Sequence, residues 1–143
     1  MDNPTRRSLA ENIVTGIGVF HQKVAHKVPF SIPANHFFTL IVLHDFGTQT
    51  ISKVSEKLLI SKQQMSPIID KLCKNGLVKR EQDPLDRRNS NITILPEGIA
   101  ILENHHKKMV DLLDKNLAAL ENDEVEVFQK SLCTCSKFFH TIL

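Results

Sequence analysis

No stretch of this 143-residue chain approaches the roughly 20 consecutive apolar residues that a membrane-spanning helix needs. A protein free in solution is therefore expected. The five glycines build neither a phosphate-cradling loop nor a Gly-x-Ser-x-Gly elbow, and no cluster of metal ligands stands at a usable spacing. An enzyme is not expected, nor a cofactor or a resident metal. His105 and His106 are adjacent, and the positions four residues on are Met109 and Val110, where a second helical ligand would be wanted. The histidines are read as exposed, or hydrogen-bonded within the core. The three cysteines are an odd number and no apolar signal segment opens the chain, which points to a reducing, cytoplasmic setting. Cys133 and Cys135 are two apart on a helix and face different ways, so they form no local redox pair.

Net charge is only +2, and whole-chain composition announces no polyanionic partner. The distribution says more. Residues 50–90 hold nine Lys and Arg against five acids, an excess of four, and the remainder of the chain is net negative.

Hydrophobic spacing is helical over most of the chain. Leu9, Ile13, Ile17, Phe20 and Val24 form one stripe over Ser8–Lys27, with Pro29 and Pro33 bracketing its end. A second helix starts at Pro33 and carries Phe37, Leu40, Ile41 and Leu43 up to Gly47. A short third helix carries Ile51, Val54 and Leu58, with Thr50 or Ser52 as its cap. Ser61 caps a fourth, Lys62–Asn75, whose apolar Met65, Ile68, Ile69 and Leu72 face inward while Lys62, Gln63, Gln64, Ser66, Lys71 and Lys74 face solvent.

Two strand-like runs follow, 77–81 and 91–95, joined by the polar Asp83-Pro-Leu-Asp86-Arg87-Arg88-Asn89. A fifth helix begins at Pro96-Glu97-Gly98 and a sixth near Asp123. In the sixth, Val125, Phe128, Leu132, Cys135, Phe139 and Ile142 alternate spacings of three and four, the pattern of a helix-packing seam. The fold class is mainly α (α+β).

Two short helices, the second capped and polar on its outer face, followed at once by a hairpin with a basic tip, make a winged helix-turn-helix. The second helix suits a major groove, and arginines at a hairpin tip suit a narrow minor groove. The run from Thr50 to Ser61, then SPIIDKLCKNGLVKR (66–80) and DPLDRRNSNITILPEG (83–98), resembles the MarR (multiple antibiotic resistance regulator) family. The combination of Gly-Leu-Val-x-Arg with Asp-Pro-x-Asp-Arg-Arg is more specific than a helix-turn-helix alone.

The resemblance implies a DNA-binding transcriptional regulator, a repressor released by a small effector. It implies one MarR-like domain over 1–143, with a DNA-binding lobe at 32–98 and dimerisation helices at 1–31 and 99–143. Lys62, Gln63, Gln64, Ser66 and Lys71 would face the groove, and Ser52 or Ser61 would meet phosphates. Arg87 and Arg88 would sit at the wing, with Asp86 holding one of them and Arg88 entering the minor groove. Leu9, Ile13, Ile17, Val125, Phe128, Leu132 and Phe139 would build a homodimer that presents its recognition helices to a pseudo-palindromic operator, about 34 Å apart. Phe20, Phe37 and Phe38, with Phe30 and Phe46, could line a pocket for a small aromatic effector or simply fill the core.

Ser55 stands where the two helices must approach closely. Pro96 replaces the usual Thr at the start of the fifth helix, which a first turn tolerates. Pro67, well inside the fourth helix, should cost a backbone hydrogen bond and bend or loosen the first turn unless neighbours compensate. Two alternatives remain open at this point: a winged-helix module that binds protein, and a thiol- or metal-responsive regulator on the same scaffold.

Overall fold

The computed structural model describes residues 4–83 and 89–142, with backbone alone for Phe139, His140 and Ile142. Asp86, Arg87 and Arg88 lie outside the described residues. The chain forms two compact units, residues 1–108 and 109–143.

In the first unit, α1 (Pro4–Lys23) is followed by a 3₁₀ turn (Ala25–Lys27), then α2 (Ala34–Phe46), β1 (Gln49–Thr50), α3 (Ile51–Leu58), α4 (Lys62–Lys74), β2 (Val78–Gln82), β3 (Ser90–Ile94) and the start of α5 (Pro96–Leu117). The second unit contains the end of α5 and α6 (Asn122–Ile142). The helix expected to run unbroken to Lys27 stops at Lys23, because Val24 leaves helical geometry (φ −124°, ψ −63°). Burial of Val24 and Val28 accompanies the break. Pro29 then disfavours helix at Val28, which is extended in φ (−117°).

The core lies between α2, α3, α4 and the sheet. Leu40, Leu43, Val54, Met65, Ile69, Leu72, Val78 and Ile92 are its fully buried members. They are the inward positions of the helical pattern, with one residue from each long strand. Where a hairpin was expected, the sheet has three strands in the order β1-β3-β2, all antiparallel. β1 pairs Gln49 with Ile92 and Thr50 with Asn91, while β2 runs beside β3 from Val78 opposite Ile94 to Gln82 opposite Ser90. A two-residue strand has no period to detect, so only its partner reveals it. Beyond the ladder the Asp83 amide donates to the Asn89 carbonyl at 3.1 Å, drawing the two arms together past Gln82 and Ser90.

Gly98 sits where α5 crosses the base of the hairpin. A Cβ there would lie 2.5 Å from the Leu77 carbonyl oxygen and 2.9 Å from a side-chain carbon of Ile94. The close approach of helix to sheet requires glycine.

Candidate DNA-binding surface

The helix-turn-helix is fixed by caps at both entrances. The Thr50 hydroxyl accepts from the Lys53 amide at 3.3 Å and caps α3, which settles the choice between Thr50 and Ser52. Ser52 lies inside α3, half-buried, and its carbonyl accepts from the Ser55 hydroxyl at 2.9 Å. Ser55 is buried, as close packing of the two helices demands. The turn between them is held by Ile60 donating to the Ser55 carbonyl at 3.0 Å and by Leu59 in left-handed geometry (φ 54°, ψ 36°).

Ser61 opens α4 with a full capping box. Its hydroxyl accepts from the Gln64 amide at 3.2 Å and donates to Gln64 Oε1 at 3.0 Å, while its own amide donates to the same Oε1 at 3.3 Å. Gln64, expected to face the groove, thus has its side-chain carbonyl committed to the cap, and its NH₂ group has no partner among the described residues. Ser-x-x-Gln is a signal that could have been read from the sequence. Pro67 does not end the helix: α4 runs from Lys62 to Lys74 without interruption, and Ser66 Oγ donates to the Lys62 carbonyl at 3.1 Å.

On its outer face α4 exposes Lys62, Gln63, Gln64, Pro67, Asp70, Lys71 and Lys74, with Ser66 half-buried among them. Lys62, Lys71 and Lys74 form no ion pair with any described residue. Asp70 is paired, its Oδ1 3.0 Å from Nη1 of Arg80 on β2. This tie between the helix and the wing was missed in the sequence, where the two residues are ten apart on different elements. Cys73 lies beside it, half-buried. Burial raises its thiol pKa, the nearby Arg80 lowers it and Asp70 raises it, for a net rise. The thiol is therefore held protonated and poorly nucleophilic.

Behind this surface, Phe30, Phe37, Phe38 and His105 cluster. Phe30 lies 4.5 Å from Phe37 and 5.6 Å from Phe38 between ring centroids, and His105 lies 4.9 Å from Phe30 and 4.7 Å from Phe37. Burial, and secondarily Lys108, lowers the His105 pKa and keeps its ring neutral. The structure brings Phe37 and Phe38 together, whereas Phe20 stands exposed on α1 and Phe46 lies under the Lys57 ammonium, 3.4 Å from the ring centroid. His36 departs from the expectation for histidines: both ring nitrogens are buried without a hydrogen-bond partner among the described residues.

Among the described residues, no group of His, Cys, Asp and Glu could hold a metal ion, and no helix is long and apolar enough to cross a membrane.

A capped helix with an outward polar and cationic face, packed beside a three-stranded wing, defines a winged helix-turn-helix of the DNA-binding kind. The MarR family model matches residues 32–90. The chain is 33% identical over 103 residues to the uncharacterized HTH-type transcriptional regulator YsmB of Bacillus subtilis, covering 72% of this chain and 70% of that one. A MarR family protein from Bacillus stearothermophilus shares the fold, with a TM-score of 0.73 at 21% identity over 98% of this chain and 99% of that one. BpsR of Bordetella bronchiseptica, whose DNA binding is regulated by 6-hydroxynicotinic acid, superimposes with a TM-score of 0.52 at 22% identity over 94% of this chain and 99% of that one. The chain belongs to the MarR family of helix-turn-helix transcriptional regulators.

Proposed function

We propose that the protein is a cytoplasmic homodimer that occupies a pseudo-palindromic operator and represses until a small aromatic effector releases it. The observation that carries this reading is the outer face of α4, where Lys62, Lys71 and Lys74 have no acidic partner among the described residues. Cations left unpaired on a rigid helix gain little from folding and much from phosphates. Residues 32–98 form the DNA-binding lobe in this reading. Gln63, Ser66 and the NH₂ group of Gln64 meet base edges, Ser52 or Ser61 and the lysines position the backbone, and Arg87 and Arg88 sit at the wing, where Asp86 holds one of them and Arg88 enters the minor groove.

The apolar residues that the chain leaves uncovered support the dimer. Leu9 is 58% exposed and Ile17 64% on α1, with Ile13 between them half-buried; on α6, Val125, Phe128 and Leu132 are exposed. Phe139 belongs to the same stripe by its spacing. Faces of this length are covered in solution. The aromatic cluster of Phe30, Phe37, Phe38 and His105 suits a planar effector, as the regulation of BpsR suggests. Such a ligand shifts DNA affinity only by its differential affinity for the two states.

The test is binding of the full chain to duplexes from its own upstream region, titrated against salt. Selective binding that weakens steeply with salt is expected, and Lys62→Ala should lower affinity across sequences and reduce the magnitude of the log–log salt slope by about 1. Binding without selectivity or salt dependence would exclude an operator.

A further inference from the structure

Pro67 stands inside α4, where it weakens the helical ladder, and it adds nothing to the core. The helical ladder has already begun when it is reached, since the Met65 amide donates to the Ser61 carbonyl at 2.9 Å. Two residues later, proline has no N–H for the Gln63 carbonyl, and its ring crowds that oxygen. The first turn tolerates proline because its amides have no helical partners; this position is past it. Nor does the ring repay the loss by burial. Met65, Ile68 and Ile69 on either side are core residues, while Pro67 is exposed.

Its place on the helix gives the reason. Pro67 is four residues after Gln63 and one after Ser66, on the face opposite the buried Met65, Ile69 and Leu72. The Ser61–Gln64 capping box holds the turn before it in shape, so the ring is presented rigidly. A proline side chain neither donates nor accepts hydrogen bonds, and the one apolar feature it can distinguish on the major-groove edges of base pairs is the thymine C5-methyl. We infer that Pro67 reads a thymine in each half-site by packing its ring against that methyl group. The inference rests on the operator reading above.

The experiment selects duplexes from a random-sequence pool with the full chain, then remakes the enriched duplex with deoxyuridine in place of thymidine at each position in turn. Removing the methyl changes nothing else in the pair. The wild type should lose about fourfold in affinity for each contacted thymine, the worth of one buried methyl-sized group. Pro67→Gln restores the backbone donor and favours the helix, so it should fold, bind, and be indifferent to deoxyuridine at that position. An enriched duplex on which no deoxyuridine substitution weakens the wild type, or on which Pro67→Gln shows the same profile, overturns the assignment to Pro67 and leaves the operator reading standing. Failure to enrich any duplex overturns the operator reading and this inference together.

Discussion

His36 has two polar ring atoms removed from water and no hydrogen-bond partner for them among the described residues. Burial, reinforced by Lys71, lowers its pKa below the usual histidine value of about 6.5, so the folded chain takes up a proton less readily than the unfolded one. The stability this protects is complete at neutral pH and is lost as the pH falls through that usual value, until the folded-state pKa is also passed. The melting temperature should therefore drop between pH 7.5 and 5, and His36→Phe should flatten the drop while costing little at pH 7.5, because an apolar ring leaves no orphaned nitrogen. A His36→Phe profile parallel to the wild type would transfer the acid sensitivity elsewhere, with the desolvated His105 the next to test.

Leu59 presents the opposite economy. It is 94% exposed and held in the left-handed region, where an L side chain other than glycine or asparagine is strained. Little packing is at stake, so Leu59→Gly should stabilise by ~0.5–1 kcal/mol, read as a higher denaturant midpoint with an unchanged slope.

Among the elements, the junction of α5 with the hairpin is the least tolerant. Gly98→Ala forces its methyl against the Leu77 carbonyl oxygen, and backbone cannot step aside as a flexible side chain would. A loss of about 1–3 kcal/mol is expected in thermal or denaturant unfolding, and a neutral substitution would mean that α5 slides on the sheet.

The same junction marks what sequence reading can reach. The helices α2 to α5 were legible because apolar residues recur at helical spacing within each, as Leu40 and Leu43, Ile51 and Val54, Met65 and Ile69, and Ile99 and Leu102 do, and β2 and β3 because polar turn residues divide them. Gly98 gave only a helix start, since the contact that demands glycine is made by Leu77, 21 residues earlier. β1 could not be read from two residues, nor the Asp70–Arg80 pair from spacing alone. Of the candidate site, the outer face of α4 followed directly from the inward one, whereas the commitment of Gln64 Oε1 to the cap required the side-chain geometry.

At the scale of the whole molecule, α1 contains no buried residue and the described side chains of α6 are all exposed. If a second copy covers these helices, stability depends on protein concentration by mass action. The melting temperature should rise with concentration, and Phe128→Glu together with Leu132→Glu should abolish that dependence and yield a monomer by sedimentation. A concentration-independent melting temperature in the wild type, with a monomeric mass, would remove the dimer from the mechanism.

Thr50 belongs to two elements at once. Its backbone is paired with Asn91 on β3, and its hydroxyl closes the first turn of α3. The sheet therefore cannot pull away from α3 at Thr50 without uncapping that helix, and the described residues of β1, α3 and β3 are tied into one unit. If an effector shifts this unit on DNA, as proposed above, the movement is taken up in the chain before Thr48 or after Ile94.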